Sequence, residues 1–137
     1  MRYLGLDLGT KTLGIAISDK LGLIASFYKT IEFKENDYES VIDDLKKIIE
    51  ENNIGAIVLG LPKNMDNSLG FAAERSLNFK DLLLEKLDIE VILEDERLSS
   101  VEANNLMIMD DLSRKKRKKK VDALAATIIL QRFLDRR

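Results

Sequence analysis

The sequence predicts an α/β fold in which a mixed β-sheet is flanked by α-helices, and three observations predict it. Two short apolar runs, at residues 3–8 and 13–18, are separated by a turn, as in a β-hairpin. Apolar residues then recur at helical spacing from residue 38 onward. A later apolar run at 56–59 lacks alternation, which is typical of a parallel strand that is buried on both faces.

The first three predicted strands form an antiparallel group. Residues 9–12, with the sequence Gly-Thr-Lys-Thr, have the glycine and the short polar side chains of a tight turn. The runs on either side of this turn are therefore predicted to pair. A third apolar run, at 24–33, extends the hairpin by one strand.

The first helix is predicted from residue 38 to about residue 49, because its apolar side chains recur three and four residues apart. Asn36 and Glu39 have the spacing of a capping box at its start. The strand at 56–59 ends at Gly60-Leu61-Pro62, and a turn-rich loop at 63–70 follows.

The remaining elements alternate between helix and strand, as a mixed sheet requires. Residues 71–87 are predicted as a helix and 89–93 as a strand that ends in a run of acids. Ser99 and Glu102 have the spacing to cap a short helix, and a last helix is predicted over about 121–134. A chain of 137 residues with 45% apolar content fits one domain, over residues 1–137.

The composition excludes several kinds of active site. The chain has no cysteine and no histidine, so it has no disulfide, thiol nucleophile, Ser-His triad or ordinary Cys/His zinc site. Hydrolytic chemistry must then come from carboxylates that bind hard cations. The amino-terminal segment does not resemble a signal peptide, and no apolar run is long enough to cross a bilayer. We therefore expect a cytoplasmic protein with no membrane partner.

Three acids are candidates for that chemistry, as catalytic residues and as metal ligands. Asp7 lies near the end of the first strand, Glu96 lies just past the last strand, and Asp122 falls within the apolar arc of the last helix. Each acid has an ordinary alternative role. Asp7 could be a turn acid, Glu96 a surface ion-pair partner and Asp122 an acid favoured by the helix dipole. Three acids that converge from separate elements repel one another unless a divalent cation neutralises them.

Oxygen ligands without imidazole suit Mg²⁺ or Mn²⁺ as that cation. The sequence does not choose between the two metals. It also leaves open which of Glu94, Asp95 and Glu96 is the ligand, because the end of a strand can rotate by one residue.

A basic run contrasts with the rest of the chain. Residues 114–120 are seven consecutive cations, although the formal net charge of the chain is −2. Cations at the entrance of a helix oppose the helix dipole, and a bound phosphate backbone would compensate them. A solvated surface segment is the alternative.

Four linked motifs resemble the bacterial YqgF/RuvX family, in order and over essentially the whole chain. The motifs are Asp7-Leu8-Gly9 with Gly14-Ile15-Ala16; Gly60-Leu61-Pro62 with Asn64-Met65-Asp66; the segment from Asp95-Glu96-Arg97 to Val101-Glu102-Ala103; and Ser113-Arg114-Lys115-Lys116 with Val121-Asp122 and Ala125-Ala126.

The resemblance implies a ribonuclease H-like fold and a cytoplasmic nuclease that processes the 5′ end of pre-16S ribosomal RNA in ribosome biogenesis. It also matches Asp7, Glu96 and Asp122 to the acidic positions of the family. The implied mechanism is metal-assisted hydrolysis of a phosphodiester bond, with no covalent protein intermediate. The residues expected to bind the substrate are Thr10, Lys11, Arg97, Ser99, Ser100, Arg114, Lys115, Lys116 and Arg117.

Several alternatives stay open. The same family resemblance allows a Holliday junction resolvase that acts on branched DNA instead of structured RNA. A non-catalytic nucleic-acid-binding module is a further alternative. Asp7-Leu8-Gly9-Thr10 also resembles the phosphate loop of sugar kinases, actin and Hsp70, but those proteins clamp ATP between two such domains. The sequence does not decide between a monomer and a homodimer.

Overall fold

A five-stranded mixed sheet organises the molecule. The computed structural model describes residues 1–62, 70–96 and 114–137, with the backbone alone for 114–123. The strand order is β3-β2-β1-β4-β5. In chain order the elements are β1 (Arg2–Leu8), β2 (Thr12–Ser18), β3 (Ala25–Glu32), α1 (Tyr38–Asn52), β4 (Ile54–Leu61), α2 (Phe71–Lys86), β5 (Glu90–Asp95) and α3 (Arg114–Arg136).

The predicted hairpin is confirmed. β1 and β2 pair in antiparallel register, with Leu4 opposite Ile17. The Gly9 N–H donates to the Thr12 carbonyl at 2.8 Å and closes the turn between them. β3 pairs with the other side of β2, also antiparallel, so it forms one edge of the sheet.

The second half of the sheet is parallel, as the unalternating run at 56–59 predicts. β4 pairs with β1, with Leu6 beside Leu59, and β5 pairs with β4, with Leu61 beside Asp95. β1, β4 and β5 therefore run in the same direction. Their carboxyl ends lie at one end of the sheet, where an α/β fold places its ligands.

One face of the sheet is covered by α1 and α2. Alternate residues of the strands, such as Leu6, Ile15 and Leu59, point to this face and are fully buried. They pack against the apolar stripe of α1 and against Phe79 of α2. This cluster of large side chains forms the main core.

The other face is covered by α3 and is lined by smaller residues, among them Ala16 and Ala56. A Cβ at Gly5 would lie 2.7 Å from the Leu130 Cβ and 3.0 Å from the Ala126 carbonyl oxygen. The helix backbone therefore lies directly against β1, and only glycine leaves room for this approach.

Two details of the sequence prediction are wrong. Asn36 does not cap α1, since it has a φ of 69°, in the left-handed region, whereas a capping residue is extended. The N-cap is Asp37, and it makes no side-chain capping hydrogen bond. The last helix begins at Arg114, seven residues earlier than expected, so the basic run forms its first turns.

Two further predictions fall outside the described residues, namely the short helix after Ser99 and most of the loop at 63–70. None of the helices described is long and apolar enough to span a membrane.

Candidate active site

Asp7 is a buried carboxylate near the carboxyl end of β1, with 8% of the residue exposed. It alternates with Tyr3 and Gly5, so it points to the α3 face of the sheet. Its partner on β2 is Gly14. On β4 the next residue after the Leu6–Leu59 pair is Gly60. Asp7 is therefore flanked by a glycine on both neighbouring strands.

Glu96 reaches the same face from the end of β5 and is 5% exposed. Its N–H donates to the Leu61 carbonyl at 3.3 Å, which continues the β4–β5 ladder by one residue. A Cβ at Gly60 would lie 2.8 Å from both Cδ and Oε2 of Glu96, and 2.7 Å from Cδ1 of Ile129. The Glu96 carboxylate thus lies directly over Gly60, on the strand next to Asp7.

The structure distinguishes the three neighbouring acids that the sequence left open. Asp95 lies two residues after Leu93, which packs in the core under α1 and α2. Asp95 therefore points to the α1 and α2 face, opposite to the face of Asp7. Glu94 is on the α3 face but forms an ion pair with Arg136. Glu96 is the acid whose carboxylate lies beside the strand of Asp7, and this favours Glu96 as the partner of Asp7.

The third predicted acid, Asp122, belongs to α3, but its side chain lies outside the described part of the chain. Among the described residues, no three Cys, His, Asp or Glu side chains come together as a metal-binding group. The site that the structure describes therefore consists of two of the three predicted acids.

The predicted substrate-binding residues are only partly described. Thr10 and Lys11 are exposed in the turn that follows β1, at the same end of the sheet as Asp7. The Phe33 N–H donates to the Lys11 carbonyl at 2.9 Å and fixes this turn against the end of β3. The side chains of Arg114, Lys115, Lys116 and Arg117 at the start of α3 are not described, and Arg97, Ser99 and Ser100 lie outside the described residues.

Sequence reasoning missed three residues of the site. Gly14 lies opposite Asp7 on β2, Gly60 leaves room for the Glu96 carboxylate, and Arg136 forms an ion pair with Glu94. The two glycines stand in the motifs that carry the family resemblance, and their position level with Asp7 becomes visible only with the strand register. The Arg136 pair could not be predicted, because 42 residues separate its partners along the chain.

Comparison with known proteins gives a match over nearly the full length. Residues 1–136 match the family model described as "RuvX: Holliday junction resolvase". A Staphylococcus haemolyticus protein named "Putative pre-16S rRNA nuclease" is 50% identical over 135 residues, which are 98% of this chain and 95% of that protein. A Staphylococcus saprophyticus protein of the same name is 48% identical with the same coverage.

Two solved structures share the fold. The chain resembles T. thermophilus RuvC, solved in complex with a Holliday junction substrate, with a TM-score of 0.56 and 18% identity over 99% of this chain and 95% of that one. It also resembles the Fowlpox virus resolvase, solved with Holliday junction DNA, with a TM-score of 0.59 and 12% identity over 99% and 98%. At these identities the likeness concerns the fold, a ribonuclease H-like sheet with flanking helices.

Proposed function

This chain belongs to the RuvX family, and from that membership we propose that it is a metal-dependent nuclease that cleaves a phosphodiester bond in precursor 16S ribosomal RNA. The observation that carries the proposal is the pair of buried carboxylates, Asp7 and Glu96, on one face of the sheet at the carboxyl ends of β1 and β5, the two strands that flank β4. Two like charges that are buried on one face repel each other, and a bound cation would offset this repulsion.

The residues present fit a divalent cation. Asp7 and Glu96 offer hard oxygen ligands, and the chain contains no histidine or cysteine that would favour a softer metal. We propose that these two acids hold Mg²⁺ or Mn²⁺. When bound, such a cation lowers the pKa of a water molecule and stabilises the charge on the leaving oxygen.

Asp122 is proposed as the third ligand from the way that α3 crosses β1. Tyr3 contacts Phe133, and Gly5 lies against Leu130 and Ala126. From Tyr3 to Gly5, the next residue of β1 on this face, the contacting residues of α3 thus move toward the start of the helix by about one turn. The next residue on the face is Asp7, and one further turn before Ala126 brings the helix to position 122. This progression of contacts supports a position for residue 122 of α3 beside Asp7.

The proposed phosphate contacts lie around this end of the sheet. Thr10 and Lys11 are exposed in the turn that follows Asp7. The cations from Arg114 to Arg117 form the first turn of α3, about two turns before Asp122. Side chains of this kind bind phosphates without reading sequence, so they would hold the strand on either side of the cleaved bond. We extend this role to Arg97, Ser99 and Ser100, which follow Glu96 directly.

The choice of substrate follows the name that the two reported relatives share. Proteins that are 48–50% identical are named for pre-16S rRNA, while the family description names Holliday junctions. We propose the RNA precursor as the substrate and a cytoplasmic location for the reaction, since ribosomal RNA is processed there in bacteria. The family description makes branched DNA the second candidate.

A cleavage assay with two substrates tests the proposal. The purified chain is incubated with a structured pre-16S RNA fragment or with a four-way DNA junction, each with Mg²⁺, with Mn²⁺ or with EDTA. We expect metal-dependent cleavage of the RNA near the mature 5′ end and little cleavage of the junction. Cleavage of the junction alone would replace the substrate, and cleavage of neither would support a non-catalytic binding module.

A further inference from the structure

An open cleft lies at the end of the sheet where β3 finishes. Its volume is about 570 Å³, and it is lined by Lys11, Glu32, Phe33, Lys34 and Glu35. β3 is antiparallel to β2, which is antiparallel to β1, so β1 and β3 finish at the same end of the sheet. The cleft is therefore at the end of the sheet that holds Asp7.

The cleft is also close to the acid site along the chain. Lys11 follows Asp7 by four residues, so their Cα atoms are at most about 14 Å apart. The Phe33 N–H donates to the Lys11 carbonyl, and this hydrogen bond joins the end of β3 to the turn after β1. An RNA strand that is cleaved beside Asp7 therefore needs only a few nucleotides to reach the cleft.

Phe33 provides the cleft with an aromatic ring in a fixed position. The ring centroid is 5.8 Å from that of Tyr38 in α1, which in turn is 5.6 Å from that of Phe79. Phe79 is fully buried in the main core, whereas Phe33 is half-buried and lines the cleft. A ring that the core already holds in place can stack with a nucleobase at little cost in conformational entropy.

The charges of the cleft favour a base over a second phosphate. Lys11 belongs to the turn that follows Asp7 and keeps the phosphate contact proposed above. Beyond it, the described part of the lining has one cation, Lys34, and two acids, Glu32 and Glu35. An excess of acids repels a phosphate, whereas carboxylates accept hydrogen bonds from the amino groups of a base.

We propose that this cleft binds one unpaired nucleotide of the substrate RNA, with its base stacked on Phe33 and its phosphate held by Lys11. The inference rests on the proposed nuclease function and adds a recognition element to it. In this arrangement Glu35, which is exposed, accepts a hydrogen bond from the exocyclic amino group of the base. The cleft then favours cytosine, adenine or guanine over uracil, which has no exocyclic amino group.

The open shape of the cleft suits a nucleotide that is part of a longer strand. Sites for free small molecules enclose most of the surface of the ligand, and an open cleft holds a single base weakly. A strand that is also held near the acids keeps the base at a high effective concentration beside the cleft. The cleft thus distinguishes an RNA with an unpaired nucleotide beside the cleaved bond from a fully paired duplex.

Tryptophan fluorescence tests the stacking directly, because the chain has no tryptophan of its own. Phe33→Trp is compared with Phe27→Trp, which places the same ring at an exposed site six residues earlier, about 20 Å away. Each variant is titrated with a single-stranded cytidine oligonucleotide of RNA, in EDTA to prevent cleavage and at low salt to favour binding. We expect Phe33→Trp to lose more than half of its fluorescence and Phe27→Trp to change little.

The anisotropy of a labelled oligonucleotide, measured in the same titration, reports binding independently of stacking. Binding to both variants without quenching of Phe33→Trp, or with equal quenching of both, would overturn the proposed cleft and leave the nuclease proposal standing. An RNA that binds neither these variants nor the wild type would contradict both proposals.

The affinity of the wild type, Phe33→Leu and Phe33→Tyr for RNA tests what the ring contributes. Leucine keeps an apolar side chain against Tyr38 but removes the stacking surface, so binding of single-stranded RNA should weaken by about tenfold. Binding of a blunt duplex should stay unchanged, and Phe33→Tyr should bind as the wild type does. An equal loss for the single strand and the duplex would contradict the proposal, since the ring would then act only through the fold.

The preference between cytidine and uridine oligonucleotides tests the role of Glu35. We expect the wild type to bind the cytidine strand several-fold more tightly, and Glu35→Ala to bind the two strands equally. Glu39→Ala, at an exposed acid of α1 four residues later, is the matched control and should keep the preference. Equal affinities in the wild type, or a preference that survives in Glu35→Ala, would overturn the recognition of the amino group.

Discussion

The two faces of the sheet are built from different side chains. Toward α1 and α2 the strands present large aliphatic residues such as Leu6, Ile57 and Leu59, all fully buried. Toward α3 they present alanines and glycines, together with Asp7 and the neighbouring Glu96. A fully buried leucine or isoleucine stabilises a fold by about 1.5–3 kcal/mol, whereas buried carboxylates cost free energy.

The difference between the two faces suggests that the α1 and α2 face mainly stabilises the fold, while the α3 face carries the proposed active site. The large residues under α1 and α2 offset the cost of placing acids on the other face. Small residues on the α3 face let other groups approach the strands closely. Gly5 makes room for the backbone of α3, and Gly60 makes room for the Glu96 carboxylate. Substitutions on the two faces should therefore have distinct effects, one mainly on unfolding and the other mainly on cleavage.

The largest effect is expected for Asp7→Asn, on the α3 face. Removal of one of the proposed metal ligands should reduce cleavage by several orders of magnitude. In the absence of metal the melting temperature should stay the same or rise, because one of two neighbouring buried charges is neutralised. Cleavage rates beside melting curves measure both quantities. A folded Asp7→Asn variant that still cleaves would remove Asp7 from the mechanism.

A pair of alanine substitutions, three residues apart on β4, compares the faces directly. Ile57→Ala creates a cavity under α1 and should lower the free energy of unfolding by about 2–5 kcal/mol, with kcat unchanged in the folded protein. Gly60→Ala places a Cβ 2.8 Å from the Glu96 carboxylate, and we expect a loss of about 1–3 kcal/mol and about a hundredfold loss in kcat. Urea unfolding and steady-state kinetics of both variants test this. A Gly60→Ala enzyme with normal kcat would contradict the role given to that glycine.

The basic first turn of α3 should affect binding more than stability. Replacement of Lys115, Lys116 and Arg117 with Ala should weaken binding to all nucleic-acid sequences. It should also reduce the slope of log K against log salt, by about 0.7 per lost contact for single strands or about 0.9 for a duplex. Fluorescence anisotropy at several salt concentrations measures the slope. An unchanged slope would make the run a solvated surface.

The smallest effect is expected on the α1 and α2 face. Ser76 of α2 is fully buried, and its hydroxyl has no hydrogen-bond partner in the described structure. Ser76→Ala removes this unsatisfied group and improves helix propensity, so it should raise the free energy of unfolding by about 1 kcal/mol. Urea denaturation measures the change. A clear loss of stability would show that the hydroxyl has a favourable contact.

Local pattern was sufficient to predict much of the fold. All five strands are confirmed, namely the two of the hairpin, the third strand beside it and the two parallel strands. Each was predicted from an apolar run or from alternation along the sequence. The start of α1 was predicted wrongly because Asn36 and Asp37 are equally good capping residues in sequence, and only the backbone conformation separates them. The start of α3 was missed because consecutive cations have no apolar period, although lysine and arginine favour helix.

The candidate site was predicted only in part, for a different reason. Asp7 and Glu96 could be placed at strand ends from the sequence, but their common face depends on register. A shift of one residue in β5 would exchange Glu96 for Asp95. The choice between these acids therefore required the pairing of β5 with β4, which no local pattern contains.

Titration of Mn²⁺ or Mg²⁺ by calorimetry into the wild type, Glu96→Gln and Asp95→Asn tests the central claim most directly. The two substitutions remove the same charge from adjacent residues that point to opposite faces of the sheet. If the metal site lies on the α3 face, Glu96→Gln should lose at least tenfold in metal affinity, while Asp95→Asn should bind as the wild type does. Equal affinities for all three proteins, or a loss with Asp95→Asn alone, would contradict the site.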